Sequence, residues 1–173
     1  MKRVGILVTA GLVAVLCQAT LFAYLPWGWP KPDFVLIIVL YIGFFLSPTE
    51  GGVISFLLGY LTDLFAGHLM GLFTFTRVSA WFLSKLGSGV LHLRSVPAQT
   101  LFVSFYTVVD ALILVGTLRF FGGPNYPLPE LGTRVWIQAA LNGVSAPFVI
   151  TLLQRVERRF SPNMERKRLD FRS

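Results

Sequence analysis

Apolar runs, several long enough to cross a bilayer, fill most of this chain, and short segments rich in Pro, Gly and Trp separate them. A hydrocarbon core about 30 Å thick needs roughly 20 helical residues per crossing, so the 173 residues allow about six crossings and no soluble domain beside them. Within lipid every backbone amide and carbonyl must find its partner inside the protein, and a helix does this within one segment. A bundle of helices is therefore expected. Only 13% of the residues are charged, against about 25% in a typical soluble domain, and the mean hydropathy is +0.69.

The charge pattern orients the bundle. Lys2 and Arg3 open the chain, and seven of its fifteen basic residues (Arg155, Arg158, Arg159, Arg166, Lys167, Arg168, Arg172) lie at or beyond position 155. Lys/Arg excess marks the cytoplasmic side, so both ends are expected in the cytoplasm. The net charge of +7 then reads as a topology signal with some attraction to anionic lipid. It does not indicate nucleic-acid binding, because the chain has no basic groove interleaved with aromatics. The single cysteine, Cys17, excludes an internal disulfide, and His68 and His92 stand far apart without metal-ligand spacing. No cofactor or metal is expected. Lys2-Arg3 before an apolar run could open a signal peptide, but Leu16 precedes Cys17 where a lipoprotein signal needs a small residue. A retained first helix is expected.

The apolar runs and their punctuation predict six helices in one transmembrane domain, over residues 4–25, 32–46, 48–65, 70–86, 100–121 and 131–153, with 154–173 as a basic cytoplasmic tail. Trp27 and Trp29 suit the headgroup layer. Ser47-Pro48-Thr49-Glu50 reads as a capping box that opens the third helix. The second helix is short for a full span. It and the third are either thin crossings or a re-entrant hairpin buried by protein. Pro147 should kink the sixth helix, since it deprives the carbonyl of Gly143 of its partner.

Charge inside a membrane needs a reason, because each group costs at least about 2.5 kcal/mol to insert. Arg77 falls near the middle of the fourth helix and Asp110 near the middle of the fifth, so an intramembrane ion pair between them is expected. It could serve as a ligand or proton site, or as a buried structural pair. Thr74, Arg77, Trp81 and Ser84 form one stripe, and Arg134, Gln138, Asn142 and Ser145 another. Such stripes face protein or water, lining a cavity or gluing helices together. Asp63, before the fourth helix, is placed to accept hydrogen bonds from that helix's open amides, or to meet a partner. The basic tail is a topology anchor or a surface for anionic lipid or a partner. Catalytic spacings of Ser/His/Asp or Cys/His, a phosphate loop and paired metal carboxylates are all missing, so no enzyme is expected.

Pro32-Asp33-Phe34-Val35-Leu36, followed after a polar turn by Gly59-x-x-x-Asp63-x-x-x-Gly67 and Gly71, resembles the rod shape-determining MreD family. Length, basic start and basic end agree, and the likeness is concentrated in residues 30–86. The resemblance implies a non-catalytic inner-membrane scaffold of the cell-elongation machinery that supports rod shape and lateral peptidoglycan synthesis. It implies MreC as the direct partner, in a complex with MreB, RodA and a class B penicillin-binding transpeptidase. It also implies a six-helix fold like that of the substrate-binding subunits of energy-coupling-factor transporters. Asp33, Gly59, Asp63, Gly67 and Gly71 are the positions that match the motif. The alternative is a vitamin-type substrate-binding subunit of a transporter, with the small residues Ala10 and Ala14 of the first helix as its docking stripe.

Overall fold

The structure, a computed structural model, describes residues 2–21, 31–66, 70–88, 95–122 and 133–160. Six helices lie among them and no strand: α1 (Lys2–Leu21), α2 (Phe34–Phe45), α3 (Pro48–Ala66), α4 (Leu72–Gly87), α5 (Val96–Gly122) and α6 (Thr133–Phe160). Three are long and apolar enough to cross a membrane, α1, α5 and α6. The six helices agree in number with the sequence reading, and α2, α3 and α4 fall short of these three in length or apolarity. α3 carries Thr49, Glu50, Gly51, Gly52, Ser55, Gly59, Thr62 and Asp63, and α2 has only 12 residues.

α2 is the axis of the bundle. Val35 through Gly43 are all buried, and every other helix packs against it. At 1.5 Å per residue it is about 18 Å long, little more than half the hydrocarbon thickness. A helix apolar on every side belongs inside protein, and here five helices take the place of lipid. α2 is thus a short central helix beside a longer α3. α2 starts two residues later than its proline suggests: Asp33 is the N-cap, its side chain accepting from the Leu36 amide. Half of the predicted capping box at α3 is present: the Glu50 amide donates to the Ser47 hydroxyl at 3.4 Å, while Glu50 Oε2 accepts from that hydroxyl at 2.8 Å rather than from the Ser47 amide.

Among the described residues, the largest differences in helix boundaries from the sequence reading are at the start of α5 and the end of α6. α5 begins at Val96 and takes Pro97 into its first turn, where a missing N–H is harmless because first-turn amides have no partner within the helix. α6 runs unbroken through Pro147 to Phe160, so the start of the basic tail is helix. Arg3 at the start of α1 explains that extension. Its Nε lies 3.0 Å from Glu157 Oε1, its Nη1 donates to the Phe45 carbonyl, and the Tyr41 hydroxyl donates to Glu157 Oε2. The beginning of α1, the end of α2 and the end of α6 therefore meet at one end of the bundle. The end of α4 joins them through Lys85, whose Nζ donates to the Leu46 carbonyl at 2.8 Å.

Candidate functional site

The deepest polar cluster forms about 18 Å from that end, at the N-terminus of α2. Arg77 on α4 is 2% exposed. One guanidinium nitrogen lies 3.1 Å from Asp110 Oδ1 on α5, and the other pairs with Asp33 Oδ2. Phe73, one turn before Arg77, sets its ring 5.9 Å from the guanidinium carbon. The sequence pairs Arg77 with Asp110, and the structure adds Asp33. That aspartate is also the α2 cap, so one side chain starts the central helix and closes the ion cluster. Two carboxylates thus share one guanidinium.

Amide side chains extend the cluster to the remaining neighbours. The Asp33 amide donates to Asn142 Oδ1 at 2.7 Å, and Asn142 Nδ2 donates to the Thr107 hydroxyl at 3.0 Å. The Thr107 hydroxyl in turn donates to the Val103 carbonyl. Gln18 Nε2 reaches the Pro32 carbonyl and Asp33 Oδ1 from α1. Five helices, α1, α2, α4, α5 and α6, are therefore tied at one level. Asn142 is fully buried, which a polar side chain tolerates only when its donors and acceptors are matched.

Asp63 works one hairpin away. Its two carboxylate oxygens accept from the amides of Phe73 and Thr74 at 2.8 and 2.9 Å, and from the Thr74 hydroxyl at 2.6 Å. Two open amides at the start of α4 are satisfied by an anion where the helix dipole favours one. Gly71, the N-cap of α4, has φ of +91°, a conformation that strains any residue with a Cβ. A Cβ at Gly59 would lie 2.6 Å from Thr74 Cα, so glycine is what lets α3 and α4 approach backbone to backbone. Gly67, His68 and His92 lie outside the described residues, as do Arg94 and the tail beyond Phe160.

The two polar stripes join helices wherever their bonds are described. On α4, Thr74 meets Asp63, Arg77 meets the two aspartates, and the Ser84 hydroxyl donates to the Leu40 carbonyl. On α6, Asn142 bridges α2 and α5. Sequence reasoning missed Asn142 as an individual, together with Gln18, Thr107 and the Arg3–Glu157–Tyr41 cluster. Glu157 gave a usable signal, since it stands among three arginines, Arg155, Arg158 and Arg159, in the last two turns of α6. The bonds of Gln18 depend on where Pro32 and Asp33 lie, and that of Thr107 to Asn142 on how α5 and α6 pack, neither of which periodicity encodes.

No curated protein and no solved structure matches the chain. The family model for rod shape-determining protein MreD matches residues 2–156. With that match spanning nearly all of its helices, the chain belongs to the MreD family of rod shape-determining membrane proteins.

Proposed function

We propose that the chain is a non-catalytic scaffold in the bacterial inner membrane, with both termini in the cytoplasm. In this reading it binds MreC and supports lateral peptidoglycan synthesis together with MreB, RodA and a class B penicillin-binding transpeptidase. The observation that carries the reading, beside the family match, is the internal engagement of the deep polar groups. Arg77 is held by two carboxylates of its own chain, and Asn142 by Asp33 and Thr107. Arg77 Nε is left without a hydrogen-bond partner, but groups otherwise so engaged within the chain give a rigid frame and offer little to a diffusible ligand. The proposed orientation rests on the basic residues Arg3, Lys85, Arg155, Arg158 and Arg159 at one end of the bundle.

The transporter-subunit alternative loses its docking stripe, because Ala14 is 8% exposed in the core and Ala10 packs against that core. A six-helix fold akin to the substrate-binding subunits of energy-coupling-factor transporters remains part of the proposal. The test is affinity purification of the full chain from membranes that also express MreC. Stoichiometric retention of MreC in detergent is expected. A folded chain that leaves MreC behind, and whose melting temperature rises with a saturating vitamin, would overturn the scaffold reading.

A further inference from the structure

A groove of about 300 Å³ runs along α6, lined by Pro147, Phe148, Thr151, Leu152 and Arg155. These positions form one stripe at helical spacing, and Arg158 and Arg159 continue it at the next turn. The stripe faces away from the bundle, since the buried side of α6 is Ala139, Asn142, Gly143, Ala146, Ile150 and Leu153. Phe148 is 75% exposed. Arg155, Arg158 and Arg159 are exposed as well.

The chemistry along the groove has a direction. It starts beside Pro147 with a phenyl ring and a leucine, passes a hydroxyl, and ends in three guanidinium groups. From Pro147 to Arg159 the helix rises about 18 Å, close to the roughly 15 Å from bilayer midplane to headgroup layer. A phospholipid runs through the same sequence over the same length, from acyl chain through ester to phosphate. Guanidinium groups pair with phosphate oxygens through two parallel hydrogen bonds. Glu157, the acid nearest these arginines in sequence, is turned to Arg3 and Tyr41, so the three positive charges stay available to an anion.

We propose that this groove is a binding site for one anionic phospholipid, its acyl chain along Phe148 and Leu152 and its phosphate at Arg155 with Arg158 and Arg159. The site does not depend on which protein partner the chain has. It would seat a lipid on the outer wall of α6, opposite the face that holds Asn142, and so make the bundle's surface sensitive to the lipid's charge.

Native mass spectrometry of the full-length protein, supplied with equal phosphatidylglycerol and phosphatidylcholine, tests it. Preferential retention of phosphatidylglycerol is expected, falling about fivefold for each of Arg155→Ala and Arg158→Ala. Thr151→Trp fills the groove and keeps every charge, so it should lower retention of phosphatidylglycerol as well. Melting temperatures within a few degrees of wild type show that the variants fold, as expected for side chains on the outer surface. Equal retention of the two lipids would overturn the proposal. So would wild-type preference in Thr151→Trp, which would reduce the effect to attraction at the membrane surface. A dimer mass abolished by Thr151→Trp would assign the groove to a second copy of the chain instead.

Discussion

Arg3 and Arg77 both reach across helices to carboxylates, one at the end of the bundle and one in its interior. Arg3 holds Glu157 with side-chain exposures of 21% and 14%, and it also has the Phe45 carbonyl and the Phe45 ring, 5.6 Å away. Arg77 is 2% exposed and holds two aspartates. Charges near water keep part of their solvation whether or not the pair forms, so their net worth is small. In the interior the contrast rests on Arg77: its aspartates keep side-chain exposures of 17% and 11%, but the guanidinium has given up nearly all its contact with solvent, so removing it leaves two carboxylates stranded against each other. The same ion-pair chemistry therefore fastens at the end and determines structure in the interior.

The largest break in this comparison is Arg77→Ala. It leaves Asp33 and Asp110 facing each other without a cation, and the expected loss is about 3–5 kcal/mol, seen as a sharp fall in folded yield and melting temperature in detergent. A triple variant, Arg77→Met with Asp33→Asn and Asp110→Asn, removes the charges together and keeps the oxygens that cap α2 and receive Gln18. It should regain most of that stability. Were the triple variant no better than Arg77→Ala, packing rather than stranded charge would set the cost.

These charges also show what the sequence could and could not reveal. Arg77 and Asp110 stood out because a charge inside an apolar run is anomalous wherever it lies, and consecutive helices tend to be neighbours. Asp63 stood out because an acid just before a helix matches that helix's open amides. Asp33 was visible as part of a helix start and as a family position, yet its pairing with Arg77 was not, because that contact joins residues 44 apart in sequence. It exists only because α2 begins where Arg77 of α4 lies. The length of α2 hinted at this, but hydropathy alone cannot separate a short crossing from a helix that five others enclose. Phe160 as the end of α6 escaped for a related reason. The basic run reads as tail until Arg3 supplies a partner for Glu157.

A middle case lies between the two clusters. Asn142→Ala takes from the Asp33 amide its acceptor and from the Thr107 hydroxyl its donor, without moving a charge. Hydrogen bonds between membrane helices contribute about 1–2 kcal/mol at most, so a loss of that size is expected by chemical unfolding in mixed micelles. Hydrogen exchange at the start of α2 should rise with it. If the loss approached that of Arg77→Ala, Asn142 would be part of the charge cluster rather than its brace.

The smallest effect belongs to the end cluster. Glu157→Gln keeps the shape and an acceptor for Tyr41 but removes the charge beside Arg3. A cost of about 1 kcal/mol or less is expected, shrinking further as salt is raised, and the same stability measurement across a salt series reads it. Arg3 still has the Phe45 carbonyl, and α1 is also held by Leu7, Ala14 and Val15 in the core. The end of α1 should therefore loosen without leaving. A loss as large as that of Arg77→Ala, and indifferent to salt, would mean that Glu157 is sealed from solvent by lipid or by residues packed over it. Depth from the bundle's end would then no longer predict what an ion pair contributes.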